Sequence, residues 1–295
     1  MYLNEPFTEA PYRALIEEAS LLLRKAYDEE REAAIDARLL LEHVCGTTLQ
    51  TFLLEPDRTV SAGDVKLYHE LVRRRAGREP LAYIVGTAGF MGLTFEVNSD
   101  VLIPEQDTEN LIEEIMKETS DGERILDLCT GSGCILLSLV NYSNNSTGVG
   151  TDISPKALAV ACANAERLGL SGRVEWRQGD LFDALGSGEQ FDLIVSNPPY
   201  IRSRVIESLA PEVKDHEPCL ALDGGEDGLY FYRKIIPGAL RHLVRGGMLF
   251  LEIGYDQGEA VLSMMREAGY YDVTVIKDYG GNDRVVRGIK SFTAQ

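Results

Sequence analysis

From Arg124 onward, short apolar runs alternate with stretches patterned as helices. The strand candidates are Ile125–Leu128, Gly148–Thr151, Val174–Arg177, Phe191–Val195, Met248–Glu252, Val273–Ile276 and Arg284–Gly288. Helical patterns lie between most of them, for example Pro155–Leu168 and Gly228–Leu243. Strands that are apolar throughout must be covered on both faces, and strand–helix alternation supplies that cover. The pattern therefore predicts an α/β fold built on a mostly parallel sheet. In such sheets ligands bind beyond the carboxyl ends of the strands, so each strand's end is a candidate site.

The N-terminal part reads differently. A helix is expected from Thr8 to Ala26, with Thr8 as cap and Leu15, Ala19 and Leu22 on its apolar face. A second is expected from Ala33 to Val44, with Ile35, Leu39 and Leu40 inward and Gly46 as its stop. A third runs from Ser61 to Ala76, closed by Gly77. Next come Tyr83–Val85, then Phe90, Leu93, Phe95 and Val97 among glycines, which read as the short strands of a hairpin. Pro104 ends the hairpin, and Asp107 is the expected cap of a helix from Thr108. The resulting division is a helical bundle over 1–80, a hairpin linker over 81–105 and the α/β domain over 106–295.

Composition narrows the function. The chain of 295 residues carries 29 Lys+Arg against 47 Asp+Glu, a formal charge of −18. A surface so acidic repels a phosphate backbone, which argues against a stable nucleic-acid complex. The one basic cluster, Arg73, Arg74, Arg75 and Arg78, is read as stabilising its helix's C-terminus. Five cysteines without CxxC spacing predict buried, reduced thiols and a cytoplasmic protein. No apolar run is long enough to span a membrane, and the first residues lack a signal-peptide pattern. A monomer is expected. The four histidines are scattered without a partner motif and are read as non-catalytic.

Three strand ends carry the marks of a ligand site. The first strand runs into Cys129-Thr130-Gly131-Ser132-Gly133, followed by an apolar helix. Glycines there let backbone N–H groups approach a ligand closely. The second strand ends at Asp152, whose carboxylate can accept the hydroxyls of a ribose or can cap the next helix. The third leads to Gly179-Asp180-Leu181-Phe182, where Asp180 could accept from an adenine amino group, with Leu181 and Phe182 walling the ring. The glycine turn lacks the third glycine of a dinucleotide fingerprint, so a compact nucleoside ligand such as S-adenosyl-L-methionine suits the set better.

The fourth strand delivers Asn197-Pro198-Pro199-Tyr200. Each proline fixes φ and removes a donor while leaving its carbonyl free. The Asn197 side-chain oxygen and the Pro198 carbonyl can thus form a rigid acceptor pair, with the Tyr200 ring as a flat wall. That suits a planar –NH₂ group. Such a nitrogen is a poor nucleophile because its lone pair is delocalised. Holding both hydrogens while the nitrogen faces a methyl group in line addresses that difficulty through orientation, on a scale of roughly 7–11 kcal/mol for well-placed reactants. No strong base is needed beforehand, because the product cation sheds its proton readily.

Together, Asp127–Gly133, Asp152, Gly179-Asp180 and Asn197–Tyr200 resemble the class I S-adenosylmethionine-dependent methyltransferases that act on planar amino nitrogens. Further segments resemble the protein-(glutamine-N5) methyltransferases of peptide chain release factors. These are Asp36–His43, Arg73–Tyr83, Leu102–Glu109, Glu217-Pro218, Leu220–Leu222, Asp223–Gly225, Asp227–Leu229, Gly258–Val261 and Asp278–Arg284. The resemblance covers nearly the whole chain. It implies a Rossmann-like seven-stranded methyltransferase domain over 106–295 and an N-terminal bundle that recognises the substrate. It implies methylation of the glutamine in a Gly-Gly-Gln loop, with S-adenosyl-L-homocysteine as product. Asn197 and Pro198 would be catalytic, and Pro199 and Tyr200 would join them in binding substrate. Cys129, Thr130, Gly131, Ser132, Gly133, Asp152, Asp180, Leu181 and Asn197 would hold the donor, with no metal. Departures are Glu105-Gln106 where Arg-Pro is usual, Cys129 for a glycine and Leu181 for an aromatic. An amino-methyltransferase on adenine in DNA or RNA, or one acting on another translation protein's glutamine, remains the alternative.

Overall fold

A computed structural model describes residues 7–27 and 30–292. The chain divides into two compact units, one through Gly86 together with Pro211–His216, the other comprising Thr87–Ala210 and Glu217 onward.

The first unit is helical. Helices Tyr12–Tyr27, Glu30–Cys45 and Ala62–Ala76 pack around Tyr12, Leu15, Leu23, Leu40, Leu41, Tyr68 and Val72. The first begins later than the sequence predicts. Ala10 and Pro11 are held extended by pairing with Val60 and Thr59, so Thr8 caps nothing. Its stripe runs through Tyr12, Leu15, Ile16, Ala19 and Leu23, leaving Leu22 exposed. In the second helix Ile35 faces out and Asp36 faces in. Asp36 is inside because Arg75 Nε donates to its Oδ2 at 2.6 Å. Arg75 also reaches Glu212 Oε1 at 3.1 Å, Arg78 bonds Glu212 Oε2 at 2.6 Å, and Arg74 pairs with Glu79. Three of the four basic residues are thus committed to internal ion pairs, beyond any dipole effect. A short helix, Leu49–Leu54, was not anticipated. Tyr83–Val85, expected as strand, lies in helix Leu81–Val85, which Gly86 ends at φ +78°.

The second unit opens with the hairpin Thr87–Phe90 and Leu93–Glu96. Its sheet contains β1 (Arg124–Leu128), β2 (Thr147–Asp152), β3 (Val174–Gln178), β4 (Phe191–Ser196), β5 (Leu243–Glu252), β6 (Tyr270–Lys277) and β7 (Asp283–Lys290). The order is β6-β7-β5-β4-β1-β2-β3, parallel except that β7 runs antiparallel to both neighbours. The seven-stranded α/β expectation holds. Along β1, Leu126 and Leu128 enter one apolar layer with Ile235 and Val261, while Ile125 enters the other with Leu111 and Leu136. Helix Gln106–Glu118 begins at Glu105 rather than Asp107, whose carboxylate instead pairs with Arg284 at 2.8 Å. Among the five cysteines only Cys134 is buried, Cys162 and Cys219 are exposed, and all are free thiols. Among the described residues no helix is long and apolar enough to cross a membrane.

Register positions the chemistry. Leu128 is level with Thr151 of β2 and with Ser196 of β4, and Ser196 is level with Leu251 of β5. The next residue on each strand is therefore Cys129, Asp152, Asn197 and Glu252, one row across the sheet's carboxyl edge.

Candidate active site

A cavity of about 360 Å³ opens over that row. Its wall includes Cys129, Thr130, Gly131, Ser132, Asp152, Asp180, Leu181, Asn197 and Pro199. Gly133, Pro198 and Tyr200 stand behind the wall rather than in it.

The glycine turn is shaped by left-handed backbone at Cys129 (φ +59°), Gly131 (+55°) and Gly133 (+79°). Gly133 must also lack a Cβ, which would come within 2.9 Å of the Trp176 ring. The Thr130 hydroxyl donates to Asp127 Oδ2, while Asp127 Oδ1 is buried without a partner. Burial pushes the Asp127 carboxyl up to about 7. Asp152 Oδ2 accepts from the Gly131 N–H at 3.0 Å and Oδ1 from the Ser154 N–H at 2.9 Å. The cap of helix Pro155–Arg167 is Ser154, so the capping alternative for Asp152 falls. Burial raises the Asp152 pKa, against the pull of those backbone donors.

Asp180 pairs with Lys234 at 3.1 Å, and buried Leu181 is held at φ +52° with its carbonyl accepting from Thr151 Oγ1 at 3.2 Å. Phe182 does not wall the cavity. It stacks on His242 at 5.2 Å and packs beneath Gly238. The aromatic wall comes instead from Tyr230 and Phe231. No histidine lines the cavity.

The corner after β4 is braced from behind. Ser196 Oγ donates to the Leu128 carbonyl at 2.7 Å, tying β4 to β1. Gln257 Nε2 donates to the Tyr200 carbonyl at 3.0 Å and to the Gly228 carbonyl at 3.2 Å. Gly224 and Gly228 lie so close that a Cβ would fall within 2.7 Å of Tyr200 Cα and 2.5 Å of its carbonyl oxygen, respectively. Ile201 N–H reaches the Leu222 carbonyl and Gly224 N–H the Ile201 carbonyl. The segments 220–229 therefore buttress the tetrapeptide. Asn197 Nδ2 donates to Thr108 Oγ1 at 3.3 Å, and the Tyr200 hydroxyl donates to Glu252 Oε1 at 3.2 Å. Neither Asn197 Oδ1 nor the Pro198 carbonyl accepts a hydrogen bond from the described residues.

Sequence reading missed several contributors. Asn164, fully buried, donates to the Ser132 carbonyl at 2.9 Å and accepts from the Glu96 N–H, pinning the glycine turn to the hairpin. Nothing in an alanine-rich helix stretch marks that asparagine beforehand. Residues of the loop 99–105 and of Pro218 with the short helix Cys219–Leu222 also line the cavity, and Glu217 Oε2 accepts from the Ile103 N–H at 3.4 Å. Burial, reinforced by Glu105, lifts Glu217 to about 7. Among the described residues no cluster of side chains could hold a metal ion.

A family model described as the PrmC N-terminal domain matches residues 14–86, and one described as a methyltransferase domain matches 119–267. The release factor glutamine methyltransferase of Caulobacter vibrioides is 44% identical over 262 residues, 88% of this chain and 90% of that protein. The protein of the same description from Geobacter sulfurreducens is 43% identical over 256 residues, 87% and 89% of the two chains. A methyltransferase structure from Pyrococcus furiosus shares the fold, with a TM-score of 0.53 at 20% identity over 69% of this chain and 91% of that one. With identity of this level over nearly its full length, the chain belongs to the release factor glutamine methyltransferase family.

Proposed function

We propose that this protein transfers a methyl group from S-adenosyl-L-methionine to the side-chain amide nitrogen of the glutamine in a release factor's Gly-Gly-Gln loop. The observation that carries this reading is one cavity shared by two unlike ends. At one end stand the glycine turn, Asp152, Asp180 and Leu181, at the other Asn197.

The residues fit the donor. Asp152 and Asp180 supply carboxylates for ribose hydroxyls and an amino group, and their existing bonds leave each oxygen a free lone pair. Tyr230, Phe231 and Leu181 supply an apolar wall. A volume of about 360 Å³ is in the range of small-ligand sites. When bound, the donor supplies an electrophilic methyl group and leaves as S-adenosyl-L-homocysteine.

At the other end, Asn197, which lines the cavity, offers Oδ1 to one amide hydrogen of the glutamine, and the Pro198 carbonyl, although Pro198 is not itself in the wall, is the acceptor we assign to the other. Both prolines are buried, so the corner cannot rotate away while they do so. Cysteines left as exposed free thiols suit a reducing cytoplasm, where we place the enzyme as a monomer. The helical unit we assign to recognition of the release factor. The deciding assay offers labelled methyl donor with a Gly-Gly-Gln protein and, separately, adenine-rich DNA. Label on the glutamine is expected, and label on the DNA alone would replace this reading with the adenine one.

A further inference from the structure

One side chain behind the cavity is bonded toward both of its ends. Gln257 follows β5, stands just before helix Gly258–Ala268 and is 4% exposed. Its Oε1 accepts from the Gly254 N–H at 2.9 Å, and its own N–H returns a bond to the Gly254 carbonyl at 2.9 Å. Nε2 donates to the Tyr200 carbonyl at 3.0 Å and to the Gly228 carbonyl at 3.2 Å. A carbonyl oxygen only accepts and a backbone N–H only donates, so the amide has one possible direction. Both hydrogens of the –NH₂ are thereby engaged, on two separate segments.

Those segments face different reactants. Tyr200 ends the tetrapeptide that Asn197 begins. Pro198 and Pro199 have no N–H through which another group could hold them. The direction of the Pro198 carbonyl is therefore set by what pins the chain on either side. Before it, Ser196 is bonded to Leu128. After it come the Tyr200 carbonyl on Gln257 and Ile201 on Leu222 and Gly224. Gly228, the second segment, lies two residues before Tyr230, where helix Tyr230–His242 starts. Tyr230 belongs to the donor end, because Lys234 lies 4.6 Å over its ring and pairs with Asp180 at 3.1 Å. The contact is tight. A Cβ on Gly228 would fall within 2.5 Å of the Tyr200 carbonyl oxygen and 2.6 Å of Gln257 Nε2.

We propose that Gln257 is a positioning residue for methyl transfer. By holding the Tyr200 and Gly228 carbonyls on one –NH₂ group, it fixes the glutamine's acceptor corner against the aromatic wall of the donor end. Each reactant can bind without that tie, but transfer needs nitrogen and methyl group in line. This rests on the reading of Asn197 as a glutamine acceptor.

Three single variants break the tie. Gln257→Met keeps the length of the side chain and removes both donors. Gln257→Glu keeps the acceptor for Gly254 but not the –NH₂. Gly228→Ala drives a methyl group into the same contact from the other side. Each is assayed for kcat and KM with a release factor, for donor affinity by calorimetry and for melting temperature. Asn197→Ala and Met265→Ala are run beside them. Met265 is buried in the same helix and offers neither carbonyl a donor. Gln257→Met and Gly228→Ala should each lower kcat by roughly 10–100-fold, the scale of a misplacement of about 1 Å, with KM and donor affinity within about threefold. Gln257→Glu carries the same expectation should Gln257→Met not fold. The double variant should lose little more than the worse single, because both changes break one tie. Met265→Ala should lower the melting temperature with kcat within about threefold. Were Gln257 merely structural, kcat would follow melting temperature alike in all of these, and the losses in the double variant would multiply. Retained kcat in the Gln257 variants, or multiplied losses, with Asn197→Ala inactive, overturns the tie and leaves the acceptor assignment standing. Retained transfer in Asn197→Ala removes the acceptor assignment and this role with it.

Discussion

The carboxylates in the cavity wall and beneath it differ in what holds them. Asp152 is tied by two backbone N–H groups and Asp180 by Lys234, whereas buried Asp127 keeps one oxygen unpartnered. Among these, Asp152 is the one we assign to the ribose hydroxyls. Asp152→Ala should weaken donor binding about tenfold or more, the scale of lost hydrogen bonds to a charged group. Calorimetry with the donor measures this, and undiminished affinity would remove Asp152 from the nucleoside site. Residues of this kind were legible in advance because they stand at strand ends, in contiguous motifs. Asn164 was not. It lies in a helix whose pattern is explained by packing alone, and it meets its partners only through tertiary contact. Phe182 failed in the opposite sense. An aromatic next to Asp180 suggested a ring wall, but the left-handed backbone at Leu181 turns it toward His242.

Among elements, the sheet was legible nearly strand for strand, since buried parallel strands have little freedom in composition. The N-terminal helices were found but two apolar faces were misjudged. In the second, the inward position belongs to Asp36, which no hydrophobic count would select. The reason is Arg75, whose side chain is 5% exposed and which holds the Asp36 carboxylate while its guanidinium lies 4.6 Å over the Tyr27 ring. Tyr27 also donates to Asp36 at 2.9 Å. Removing one partner of a buried pair strands the other. Asp36→Ala should therefore cost about 3–5 kcal/mol in urea unfolding. Glu212→Ala, which leaves the Asp36 bond in place, should cost less. Equal costs would mean that Asp36 is not the principal partner.

For the molecule as a whole, stability should depend on pH in a direction set by its buried acids. Asp127, Glu217 and Glu252 are each pushed up to about 7, mainly by burial. Between their unfolded values and 7, the native state keeps protons that the unfolded chain has released. Stability therefore falls as pH rises through this window, by at most about 1.4 kcal/mol per pH unit for each group, and levels off above it. Glu189 and Asp227, held down to about 2 by arginine partners, act oppositely and only below their unfolded values. An optimum near about pH 4 is expected in thermal melts, where the decline from the raised acids begins and the gain from the lowered ones ends. Asp127→Asn and Glu252→Gln should flatten the decline toward neutral pH, and a melting temperature that climbs from pH 5 to 7.5 would contradict it. The membership of Pro211–His216 in the helical unit bears on how the chain is made. Glu212 follows Arg75 by 137 residues. During synthesis, then, a bundle otherwise complete by Gly86 must hold that guanidinium with Asp36 and the more distant Glu32 until most of the β-strands have left the ribosome, and only afterwards does Glu212 arrive.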